Sequence, residues 1–172
     1  MLSAVVLYEA SAAVDVEPVE CLVRSLASLV RANVEGLVRD VRIAGPRGAG
    51  LDIVADHAGC GLIEADEKTE RMRAAISAAH GPHLLLLRAG FAPQQGFIEE
   101  AGDFLQVDRA GTAFLRAVPE RLLERLFPRA APLAGLIAPR ERCLRALAGD
   151  LSALAVAVAP AITLRTPARR VA

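Results

Sequence analysis

The four consecutive leucines Leu84 to Leu87 stand between a Gly81-Pro82 break and the glycine of Arg88-Ala89-Gly90. A strand that is apolar at every position has no face to offer water. His83 to Leu87 therefore predicts a strand buried on both sides, as in a parallel sheet. Such a sheet must be covered by helices above and below, and this requirement constrains the chain more than any other feature.

The flanking segments supply those helices. Leu2 to Leu7 reads as a first strand, and apolar residues recur at helical spacing from Pro18 to Arg31, with Asp15 or Glu17 near the start where an acid suits the helix dipole. Leu37 to Ala44 predicts a second strand, Gly45-Pro-Arg-Gly-Ala-Gly50 a loop, and Leu51 to Ala58 a short helix closed by Gly59. Cys60 to Glu64 predicts a third strand, and Thr69 to His80 a helix stopped by Gly81-Pro82. After the leucine strand, Gly96 to Gln106 predicts another helix. This alternation is the pattern of an α/β, doubly wound, three-layer sandwich with a mainly parallel sheet, and residues 1–172 fit a single domain.

Past Val107 the pattern is sparser. Gly111 to Val118 predicts a strand, while Pro119 to Phe127 and Pro139 to Ala148 predict helices that start on proline. Asp150 to Val158 predicts a further helix, Ala161 to Arg165 a last strand, and Arg165 to Ala172 a frayed tail. Pro128, Pro132 and Pro139 break the stretch between them.

Composition excludes several classes. The 20 basic and 20 acidic residues cancel, which removes the positive footprint of a nucleic-acid binder. An apolar share of 53% is ample for a core. Cys21, Cys60 and Cys143 show no paired spacing, which predicts no disulfide framework and a reducing, cytoplasmic setting. The N-terminus lacks the basic region of a signal peptide. The longest apolar run, Leu151 to Leu164, is broken by Pro160 and falls short of the ~20 residues that span a bilayer. The excess of Arg over Lys, with abundant Ala, points to a GC-rich genome rather than a binding surface, and a bacterial cytoplasm is the expected setting.

Open parallel sheets bind ligands beyond the carboxyl ends of their strands. Tyr8-Glu9, the 45–50 loop, Glu64 to Asp66 and Arg88-Ala89-Gly90 are therefore expected to converge. The glycine-rich loop and Arg47 suit a phosphate, or form a plain strand-to-helix connection; the loop lacks both the P-loop ending and the dinucleotide spacing. His57 with Cys60, and His80 with His83, do not supply the four converging ligands of a closed zinc site. Cys21 and Cys143 lie in apolar helical patterns and read as core. No Gly-x-Ser-x-Gly elbow is present. Glu99 and Glu100 read as a solvated helix face, whereas Glu64 and Asp66 stand at a strand tip where a ligand is in reach.

Two stretches carry a family resemblance: Glu35 to Ala44 with the loop and Leu51 to Cys60 after it, and Glu70 to Gly81 followed by His83 to Leu87. In order and length they resemble the second strand, nucleotide loop, second and third helices and metal-site strand of the family 2 glycosyltransferases of the GT-A fold. The likeness covers residues 1–106 as a nucleotide-binding-like half, and more loosely 107–172 as a shortened acceptor-side half. It implies a GT-A, Rossmann-like sheet and a nucleotide or nucleotide-sugar ligand contacted by Tyr8, Glu9, Gly45, Arg47, Arg88 and Gly90. Where the family carries Asp-x-Asp to hold a divalent cation, this chain has Arg88-Ala89-Gly90, so no metal cofactor is expected. Of the family's Glu-Asp pair bearing the catalytic base, only Asp150 has a counterpart.

These departures imply a catalytically degenerate binding or scaffold module, with a protein partner in cell-envelope polysaccharide synthesis as one setting. A metal-independent transferase, with Arg88 and Arg47 on the diphosphate and Asp150 as base, is the second reading. A third makes the apolar stretch Leu133 to Leu164 a homo-oligomeric or membrane-peripheral surface.

Overall fold

A computed structural model of the chain describes residues 1–9, 18–120, 124, 126–127 and 130–171. Strands β1 (Leu2–Leu7), β2 (Val38–Gly45), β3 (Gly61–Glu64) and β4 (His83–Arg88) run parallel in the spatial order β3-β2-β1-β4. Helices α1 (Pro18–Val34), α2 (Leu51–Ala58) and α3 (Lys68–Ala78) connect them, each within three residues of its expected bounds. Gly59 caps α2 in the left-handed conformation at φ 64°, as its position after the last helical residue required.

The chain steps outward from β1 to β3 and then returns to place β4 on the other side of β1. Right-handed crossovers put helices from opposite directions of travel on opposite faces. α1, α2 and α4 (Phe97–Val107) accordingly pack on one face, with Ala4, Val6, Leu85 and Leu87 beneath them. α3, α5 (Arg140–Arg145) and α6 (Leu151–Ala157) pack on the other, over Val5, Leu7, Leu84 and Leu86. Leu84 to Leu87 are all fully buried, which is the two-sided burial that their composition demanded.

The second half departs from the sequence reading in three places. The stretch broken by Pro132 and Pro139 contains β7 (Leu133–Pro139), a strand antiparallel to β4 and buried over its first six residues. The apolar residues taken as a contact surface in Leu133 to Leu164 are thus largely core: Leu136, Ile137, Leu154 and Val158 are fully buried. β6 (Ala113–Arg116), inside the expected Gly111 to Val118 strand, pairs antiparallel with β7, and β8 (Ile162–Thr163) closes that edge parallel to β6. The tail is ordered and not frayed: β9 (Ala168–Arg170) pairs with β5 (Phe91–Pro93), and Val171 N–H donates to the Gly90 carbonyl at 2.9 Å. Four of the nine residues of the expected Pro119 to Phe127 helix, 121–123 and 125, lie outside the described residues.

At the amino edge, the buried Ser3 hydroxyl donates to Asp40 and accepts the Gly81 N–H at 2.7 Å. A Cβ on Gly81 would lie 2.9 Å from the Ser3 nitrogen, so only glycine fits this close approach. His83 also lies at this edge, its Nε2 2.6 Å from the Arg109 carbonyl. Among the described residues no three His, Cys, Asp or Glu side chains gather as a metal-binding group, and no helix is long and apolar enough to cross a membrane.

Candidate functional site: the carboxyl rim of the sheet

Register aligns the four parallel strand tips. Leu7 stands opposite both Ala44 and Arg88, and Gly45 opposite Glu64, so Tyr8, Gly45, Glu64 and Arg88 end at one rim. Backbone bonds continue past the strands: Tyr8 N–H to Ala44 at 2.8 Å, Ala65 N–H to Gly45 at 3.2 Å, and Ala89 N–H to Leu7 at 2.9 Å. The 45–50 loop is tied to the next tip, because Arg47 N–H donates to the Asp66 carboxylate at 3.2 Å. All four expected tips therefore meet, with the crevice between β1 and β4 where the strand order reverses.

Individual residues take distinct parts. Tyr8 is only 5% exposed and packs under Gly45, where a Cβ would lie 3.4 Å from the ring and 2.2 Å from Leu51 Cδ1. Burial, and secondarily the neighbouring Cys21 sulfur, pushes its phenol above the ordinary value. Glu9 is exposed, as is the Arg47 side chain. Gly90 turns the chain at φ 87°; its N–H donates to Ser25 Oγ at 2.9 Å and its carbonyl accepts Val171. The Arg-Ala-Gly tip is thus braced from α1 and from the C-terminal strand, through bonds that only a left-handed residue delivers.

Arg88 points to the α3, α5 and α6 face, since Leu84 and Leu86, four and two residues earlier, face that side. There its Nη2 donates to Ser152 Oγ on α6 at 2.9 Å. Asp150 is the N-cap of α6, one carboxylate oxygen accepting Ala153 N–H at 2.8 Å. Its neighbour Gly149 lies beside Thr69 at the start of α3. The tip therefore offers a guanidinium, a hydroxyl and backbone where a divalent cation needs oxygen anions, and these residues do not fit such an ion.

Sequence reading did not mark Ser25, Ser152, Glu67 or Arg71. Glu67 caps α3 by accepting Thr69 and Glu70 N–H groups, which hold its carboxyl below the ordinary value. The acid-rich Glu64 to Glu70 run carries that cap as a signal, two residues before the expected helix start at Thr69. Arg71 is 8% exposed and donates to the Ala65 carbonyl at 2.9 Å, bracing the β3 tip from α3. Glu100, expected on a solvated face, instead accepts the Arg165 and Thr166 N–H groups at 2.7 and 2.8 Å.

A parallel sheet reversing at β1, an antiparallel β7 and strand tips gathered at one rim define a nucleotide-diphospho-sugar transferase-like fold of the GT-A type. Solved structures share it at low identity. Glucosyl-3-phosphoglycerate synthase from Mycobacterium tuberculosis, in complex with Mn2+, uridine-diphosphate-glucose and phosphoglyceric acid, superposes with a TM-score of 0.64 at 17% identity over 99% of this chain and 72% of that one. A mycobacterial protein matches with a TM-score of 0.64 at 19% identity, over 98% of this chain and 64% of that one. Bifunctional IspDF from Campylobacter jejuni matches with a TM-score of 0.60 at 12% identity, over 95% and 49%. No family model matches the sequence, and no curated protein does.

Proposed function

We propose that the protein is a nucleotide-diphosphate-binding module on a GT-A scaffold, catalytically degenerate, which holds its ligand through arginine and without a divalent cation. The observation that carries this reading is Arg88, pinned by Ser152 at the tip of β4. The mycobacterial synthase of the same fold is complexed with a uridine-diphosphate sugar and Mn2+. In this chain a guanidinium fork supplies positive charge directly to phosphate oxygens. Arg47, on the loop tied to Asp66, faces solvent within the same rim.

Loss of transfer follows from the same residues. Neutralising a leaving diphosphate is ordinarily the largest catalytic contribution in such chemistry. The one carboxylate matched to the family's base, Asp150, has an oxygen engaged in capping α6. Binding without turnover suits a module that reports or scaffolds a nucleotide-sugar step carried out by a partner.

Calorimetry with uridine diphosphate, guanosine diphosphate and their glucose conjugates, in EDTA and in Mn2+, tests the reading. Binding of equal strength in both, weakened at least about tenfold by Arg88→Ala, is expected. Mn2+-dependent binding accompanied by donor hydrolysis or transfer would refute it.

A further inference from the structure

A second arginine stands beside Arg88 in the same condition. Arg116 ends β6, and β7 lies between β6 and β4. Leu87 pairs with Gly135, and Arg116 pairs with Leu133 across the register shift at Leu115. The two arginines therefore flank the start of β7, about 10 Å apart at the backbone for two strand spacings. They also face the same way. Arg116 lies 5.5 Å over the Phe114 ring, and Phe114 packs with the α3, α5 and α6 side that Arg88 also faces.

Both guanidiniums are partly withdrawn from water and, among the described residues, neither has a counter-charge. The Nε of each is shielded from solvent with no hydrogen-bond partner. The polar contacts they do make are neutral: Arg116 Nη1 donates to the Ala131 carbonyl at 3.0 Å, and Arg88 Nη2 to Ser152. Among the described residues the ion pairs involve other arginines and His80 only. The acids at the helix starts of this face, Glu67 and Asp150, accept N–H groups of their own helices. Burial lowers the Arg116 pKa, as expected of a desolvated cation with no anion beside it.

Two desolvated like charges held on one face are costly unless an anion satisfies both. A phosphoryl group supplies a double negative charge and three acceptor oxygens, enough for two forks. We propose that Arg88 and Arg116 are two prongs of one site for a phosphoryl dianion, delivered by a nucleoside diphosphate or by a free phosphate or diphosphate. The first source rests on the nucleotide reading above; the second does not. Leu133 between the prongs keeps the floor apolar and strengthens both contacts.

Calorimetry on the full chain in EDTA, with uridine diphosphate, inorganic pyrophosphate, inorganic phosphate and uridine, tests this. Pyrophosphate and uridine diphosphate bind and uridine alone does not. Arg116→Gln and Arg88→Gln each weaken both ligands about tenfold or more, and the double variant adds little, because both side chains hold one group. Arg116→Lys keeps the charge but loses the fork, and falls between wild type and Arg116→Gln; it also serves where the glutamine variant fails to fold. Unchanged affinity for both ligands in the Arg116 variants, with Arg88→Gln weakened, overturns the two-pronged site and leaves the nucleotide reading standing. Pyrophosphate binding that needs both arginines, with no gain from the uridine moiety, upholds the site and removes the nucleotide reading. Absence of binding by any phosphate compound overturns both.

Discussion

Glu100 ties the C-terminal segment to α4, and its removal should loosen the tail that braces the candidate site. The carboxylate accepts two backbone N–H groups, from Arg165 at 2.7 Å and Thr166 at 2.8 Å. A net hydrogen bond to a charged group contributes ~1.5–3 kcal/mol, and the lower end applies because the side chain is only half-buried. Glu100→Ala should therefore cost about 2–3 kcal/mol, which for a domain of this size is a Tm drop of roughly 4–12 °C. The neighbouring Glu99→Ala, on an exposed side chain, should stay within about 0.5 kcal/mol.

The pH dependence has a definite sign. Burial pushes the Glu100 carboxyl up, but the two N–H donors outweigh it and hold the group below its ordinary value of 4.5. A depressed folded pKa contributes stability that is present above the unfolded value and lost as pH falls through the folded one. The gap between wild type and Glu100→Ala should thus be full at neutral pH and shrink as pH falls below 4.5. Urea denaturation at pH 7 and pH 3.5 reads the gap. Amide exchange at Arg165, Thr166 and Val171 should accelerate in the variant. Equal stability of the Glu99 and Glu100 variants, or unchanged exchange of those amides, would show that the tail is held by other contacts and refute the reasoning.

Cys143 offers a second pH test: burial pushes its thiol up to about 12 from an ordinary 9.0, with Arg142 opposing. A raised folded pKa gives stability that is complete below the unfolded value and lost as pH rises through the folded one, so stability should fall by up to about 1.4 kcal/mol per unit between pH 9 and 12, and Cys143→Ala should flatten that limb in urea titrations. Gly90→Ala has room, its Cβ meeting Cys21 only at 4.0 Å, yet must adopt φ 87°; a loss of about 1–2 kcal/mol with an unchanged urea m-value is expected, and a neutral result would mean that the turn relaxes.

Some of this was legible from residue order. Four parallel strands and their helices follow from local periodicity: Leu84 to Leu87 admit no solvent face, and the apolar spacing of α1 serves only a helix packed on a sheet. The convergence of Tyr8, Gly45, Glu64 and Arg88 followed too, because parallel strands with right-handed crossovers leave their carboxyl ends on one edge. β7 escaped because a short, wholly apolar run bounded by prolines carries no period, and its composition equally suits a surface that seeks a partner.

The sequence by itself determined the α/β class, the strand-helix order and the Arg88-Ala89-Gly90 ending of the leucine strand, since each is written in neighbouring residues. Only tertiary structure decided what those residues touch. Arg88 meets Ser152 across 64 positions, Glu100 meets Arg165 and Thr166 across 65 and 66, and Arg116 comes beside Arg88 only because β7 inserts antiparallel between their strands. Such pairings are settled by where buried backbone and charge find partners in the packed chain, and no local period encodes that.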